Sequence, residues 1–133
     1  MKKNSKYIIY SILLGVLFSL FGEGIFYLLY YNDHILSLAN WLIYSLVIVY
    51  STPIFILFKG RQWLWSILIV IVYPVVSIFF AIIFGKAFPI EDGDLAGGVL
   101  GLITIGINGL SIIFGIILGH IFRFLYYQFK RLE

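Results

Sequence analysis

Residues 63–85 read WLWSILIVIVYPVVSIFFAIIFG, and none of them carries a charge. A helix of that length rises about 1.5 Å per residue and so outspans the roughly 30 Å hydrocarbon core of a bilayer. The apolar residues run on without the strict alternation of a barrel strand, and lipid offers no partner to an open backbone, so the stretch reads as a membrane-spanning helix. Working outward, residues 7–31, 35–58 and 96–122 form three further blocks of the same kind. Together the four blocks use nearly the whole of residues 1–133, leaving a single membrane domain without an extramembrane one. Lys2, Lys3 and Lys6 precede the first block as they would a signal peptide. However, the apolar run continues past the small residues Gly22 and Gly24 to Tyr31, which predicts an uncleaved first span.

Composition agrees. Of 133 residues, 62% are hydrophobic and 20% aromatic, only 11% are charged, and the mean hydropathy is +1.08. A soluble domain carries about 25% charged residues, so a soluble enzyme, a nucleic-acid-binding domain and a disordered regulator are all excluded. The absence of cysteine excludes disulfide and thiol chemistry.

The basic residues set the orientation. Lys2, Lys3, Lys6, Lys59, Arg61, Arg123, Lys130 and Arg131 fall on one side of a four-span chain, against Lys86 alone on the other. The positive-inside rule then places both termini in the cytoplasm of a multi-pass cell-membrane protein. Trp63, Trp65, Tyr126 and Tyr127 suit an inner aromatic belt, and Tyr30, Tyr31 and Trp41 an outer one. Short connections predict an all-α integral membrane fold, an antiparallel up-down bundle of four transmembrane helices in which consecutive helices are neighbours. Pro53 and Pro74 each remove a backbone donor and predict kinks in the second and third helices.

On the fourth helix Gly97, Gly101, Thr104, Asn108, Ser111, Gly115 and Gly119 recur at intervals of three and four, which keeps them on one stripe. Helices in lipid associate through close packing rather than water exclusion, so small residues mark the contact face. Ser11, Gly15, Ser19 and Glu23 form a matching stripe on the first helix. The two stripes are expected to pack against each other, and they also suit a homodimer seam.

Glu23 is the one acid inside a span. It lies eight residues in from Tyr31, about 12 Å below the outer boundary. The same count reaches Tyr44, Ser77 and Thr104 on the other helices, with Asn40, Tyr73 and Asn108 within a turn. A polar layer is therefore expected around Glu23, where the absence of an offsetting cation favours the neutral acid. Glu23 with Asn108, Thr104 and Tyr44 is the candidate proton or cation site. Its other reading is a neutral donor locking helices together.

Other chemistries find no support. His34 and His120 sit at opposite interfaces, and Glu91, Asp92 and Asp94 lack the spacing of a calcium loop. No metal, cofactor or catalytic residue is expected. The layout resembles that of the small multidrug-resistance transporters in its four spans, very short chain and glutamate in the first span. Members of that family that insert in both orientations have nearly balanced basic residues, whereas eight against one fixes a single orientation here. In layout and composition the chain is also similar to uncharacterised four-span membrane proteins of Gram-positive bacteria and their prophages, among them immunity and accessory proteins. That resemblance implies a non-enzymatic protein acting through helix–helix contacts, with the lipid bilayer, another membrane protein or a second copy as partner and no nucleic acid. The alternatives are a small proton-coupled transporter or channel using Glu23, and a holin-like phage protein.

Overall fold

The computed structural model of the chain describes residues 2–31, 37–58, 60–87 and 95–132. These are all-helical: α1 is Lys2–Tyr31, α2 Ala39–Leu57, α3 Ile67–Ala87 and α4 Leu95–Leu132, with a 3₁₀ segment, Gly60–Ser66, leading into α3. Each of the four helices holds a stretch long and apolar enough to cross a membrane: Asn4–Tyr31, Asn40–Leu57, Val99–Leu132, and Gln62–Ala87 counted with the 3₁₀ turn. Asp33, His34, Lys59, Glu91, Asp92 and Asp94 lie outside the described residues, and so do the surroundings of Gly97 and the side chains of Lys2, Lys3 and Arg61.

The third helix begins later than its apolar block. Trp63 to Trp65 belong to the 3₁₀ turn, whose i→i+3 pattern tightens a helix entry. Ser66 sustains that turn by donating from Oγ to the Trp63 carbonyl at 2.5 Å. Pro53 and Pro74 both lie inside their helices without ending them. Around Pro53, the hydroxyls of Ser51 and Thr52 turn back onto the Ile48 carbonyl at 2.7 and 3.1 Å.

Polarity is arranged inside out. Buried positions include Ser11, Ser19, Ser66, Ser77, Thr104, Asn108 and Ser111, while Trp41, Ile71, Phe79, Leu102 and Phe114 stand exposed. A water-soluble protein would not expose so much contiguous apolar surface. Burial on α4 picks out Thr104, Asn108, Ser111, Ile112, Gly115, Ile116 and Gly119, the three-and-four spacing of one helical face.

The most extensive contacts join alternate helices, α1 with α3 and α2 with α4, while α1 and α2 touch sparsely. This differs from the expectation that consecutive helices form the principal neighbours. The small-residue stripes explain it, because each finds a bulky or carbonyl-bearing face on the helix two removed in the chain. Ser11 donates to the Trp65 carbonyl at 2.6 Å and Ser19 to the Tyr73 carbonyl at 3.3 Å. Between them, a Cβ added to Gly15 would come within 2.7 Å of Val72 Cγ1, so only glycine admits this approach. On α4, a Cβ at Gly115 would lie 3.2 Å from the Val47 carbonyl, and one at Gly119 would lie 2.9 Å from the Ser51 carbonyl. Here the Gly-x-x-x-Gly pair lets two backbones meet. Residue numbers rise together along both seams, so α1 and α3 run in the same direction, as do α2 and α4.

The stripes of α1 and α4 therefore do not face one another along their length. They touch where Gly101 meets Phe26 and where Gly22 meets Asn108. Tyr7 stacks near Phe58, with ring centroids 6.0 Å apart, which brings the start of α1 to the end of α2. Lys6 over the Tyr10 ring and Arg123 on α4 lie at this same end.

Candidate functional site

Asn108 is where the helices meet. The Tyr50 hydroxyl of α2 donates to its Oδ1. Its Nδ2 donates to the Phe18 carbonyl of α1 and to Tyr73 Oη of α3, each at 3.1 Å. Tyr73 passes its own proton to the Ile105 carbonyl at 3.0 Å. Both amide protons and the amide oxygen are thus used, and Asn108 is only 2% exposed. Glycine makes the room, since a Cβ at Gly22 would fall 2.5 Å from Nδ2. The rings of Phe18 and Tyr50, 4.3 Å apart at their centroids, close the node. A second chain of hydroxyls ties α1 to α3, where Ser77 donates to Ser19 Oγ at 3.3 Å.

Glu23 stands beside this node without joining it. It is 7% exposed and lines a groove of about 310 Å³ with Leu20, Gly24, Tyr27, Tyr31 and Phe84. Among the described residues, no hydrogen bond or ion pair reaches its carboxyl. The four residues of the candidate proton or cation site are accordingly scattered. Thr104 donates to the Leu100 carbonyl of its own helix at 2.8 Å, and Tyr44 is 65% exposed on the outer surface. Asn108 is spent on Tyr50, Phe18 and Tyr73. Ser111, from the packing stripe, likewise bonds its own helix at the Ile107 carbonyl, at 2.9 Å. Among the described residues, no three potential metal ligands gather.

Three arrangements escaped the reading of the sequence. Tyr50 sits in the run VIVYSTPIF, and a tyrosine so deep in an apolar stretch needs a partner for its hydroxyl; that requirement was the available signal. Ser66 Oγ lies 2.9 Å from His120 Nε2, a pairing that resembles a nucleophile and its base. The serine hydroxyl is also held on the Trp63 carbonyl of its own turn. The contact is a strut between the start of α3 and α4, flanked by the Trp63 ring. Finally, Arg123 lays its guanidinium on the Phe55 and Phe58 carbonyls at the end of α2, between the rings of Phe55 and Tyr127. A cation there complements the carbonyl end of a helix. Comparison with protein-family models, with curated proteins and with solved structures returned no match.

Proposed function

We propose that the chain is a small multi-pass protein of a bacterial cell membrane that works through helix contacts with another membrane protein, in the manner of an immunity or accessory protein, and performs no catalysis. In this reading the four helices form an antiparallel up-down bundle with both termini in the cytoplasm. The same-direction pairing of α1 with α3 and of α2 with α4 supports that topology. The cluster of Lys6, Arg123 and the exposed Trp63, Tyr126 and Tyr127 at one end supports that orientation. The reading extends the resemblance to four-span proteins of Gram-positive bacteria and their prophages.

One observation carries it. Asn108 is bonded to all three other helices, and Ser11, Ser19 and Ser77 tie α1 to α3 and the turn before it, while Thr104 and Ser111 are spent within α4. Such an interior is a lock rather than a lining for passing solutes. What the protein offers its surroundings is therefore its lipid-facing surface.

A second reading rests on Glu23, whose carboxyl lines a groove without a partner among the described residues, as a proton or cation carrier would. Purified protein in sealed liposomes separates the two. Helix-contact function predicts proton and monovalent-cation flux equal to that of empty liposomes. Flux above that background, lost in Glu23→Gln, would establish the carrier instead.

A further inference from the structure

The glycines of the spans range from tightly packed to open. A Cβ on Gly15, Gly22, Gly115 or Gly119 would come within 2.9 Å of a neighbouring atom, so the fold itself uses their smallness. A Cβ on Gly24 would meet nothing within 4 Å. Gly24 leaves a notch in the outer wall of α1, bordered by Leu17, Leu20, Phe21, Ile25 and Leu28. That notch is continuous with the Glu23 groove, since Leu20 and Gly24 line both. An unfilled glycine and an acid that is 7% exposed and has no partner among the described residues thus lie side by side in one groove.

Among the described residues, no cation and no hydrogen-bond donor reaches the Glu23 carboxyl. An acid at membrane depth is stable when paired with a cation or hydrogen-bonded by its surroundings. Of the basic side chains described, Lys6, Arg123, Lys130 and Arg131 lie toward the opposite end. Lys86 is exposed near the end of α3. The Ser19–Ser77 contact sets Glu23 level with about residue 81, so Lys86 lies roughly 8 Å further along the axis. A second copy would bring glutamate against glutamate. The notch runs along about three turns of α1, from Leu17 to Leu28, a length suited to another helix.

We propose that the notch at Gly24 and the carboxyl of Glu23 form a docking seat for a transmembrane helix of another protein that carries a lysine or arginine at the level of Glu23. Gly24 admits the backbone of the incoming helix, and Glu23 takes its cation. The seat presupposes that the protein works through helix contacts, and it names the chemistry of the partner.

The test uses full-length labelled protein in phosphatidylcholine vesicles with an oligoleucine transmembrane peptide bearing one lysine about 12 Å below an interface. The control peptide has norleucine in place of the lysine. Energy transfer should show the lysine peptide associating about tenfold more tightly, the equivalent of one good polar contact in lipid. Glu23→Gln should abolish the difference, and Gly24→Leu should abolish association. Gly106→Leu, at another open glycine, should change neither. Helical circular dichroism and the unfolding midpoint confirm that each variant is folded. Equal association of the two peptides, or a lysine preference that survives in Glu23→Gln, overturns the seat. Glu23-dependent association of labelled copies with one another also overturns it, in favour of a homodimer seam. Ion-tight liposomes with no lysine preference remove only the seat, whereas conducting liposomes remove the helix-contact reading as well.

Discussion

Asn108 and Glu23 lie on either side of one glycine. Gly22 rests against the Asn108 amide, and Glu23 is the next residue along α1. A single step turns a helical side chain by about 100°, so Gly22 faces α4 while Glu23 turns toward the groove edged by Phe84 of α3. The amide is wholly satisfied and joins four helices; the acid is buried to a similar degree and joins none. The difference shows how a small protein keeps its cohesion independent of charge. Amides and hydroxyls hold the interior at modest cost, and the one acid within the spans is kept beside the lock rather than in it.

The sharpest way to break this comparison is to attack the seams on which the node depends. Gly115→Leu or Gly119→Leu drives side-chain atoms into the Val47 or Ser51 carbonyl, where backbone cannot move aside as a side chain can. Overpacking of this kind costs about 3 kcal/mol, and reversible unfolding in detergent should show it. Gly24→Leu, on the open notch, should leave the same midpoint unchanged. Asn108→Leu keeps the branched shape but removes three interhelical hydrogen bonds. At about 0.6 kcal/mol for each such bond in a membrane protein, the loss is roughly 2 kcal/mol. Tyr50→Phe removes one of the three and should cost about 0.6 kcal/mol. Equal losses for Tyr50→Phe and Asn108→Leu would mean that the α2 arm alone carries the node.

Four helices long and apolar enough to cross a membrane were legible in the sequence because uncharged length alone marks them, as residues 63–85 demonstrate. So was the use of small residues on α1 and α4, because three-and-four spacing fixes a face whatever it meets. What each face meets was not legible. A stripe of Ser11, Gly15 and Ser19 fits any ridge of suitable shape, and Val72 with the carbonyls of Trp65 and Tyr73 supplied it from α3. Depth counting from the ends of the apolar blocks placed Tyr73 and Asn108 near the level of Glu23 but misplaced the α2 member of the polar layer. Beginning at Ala39 and continuing beyond the expected contact, α2 presents Tyr50 to the node, while Tyr44, matched to Glu23 by counting, faces outward. A shift of six residues along a helix is more than one turn, enough to exchange an inner face for an outer one.

The smallest effect is the most discriminating. If Glu23 stands outside the lock, Glu23→Gln removes no interhelical bond, and the stability of the isolated protein should change by less than about 0.5 kcal/mol. The double variant with Asn108→Leu makes the comparison quantitative. Residues that share no partner add within about 0.5 kcal/mol, whereas members of one hydrogen-bonded network couple by more. Additivity is therefore expected, despite the closeness of the two side chains, because Gly22 separates their directions. A coupling of 1 kcal/mol or more would place Glu23 inside the node and make it a lock component like Asn108. In that case the acid would have no free valence for an incoming helix, and both the docking seat and the division between satisfied interior and available wall would fall together.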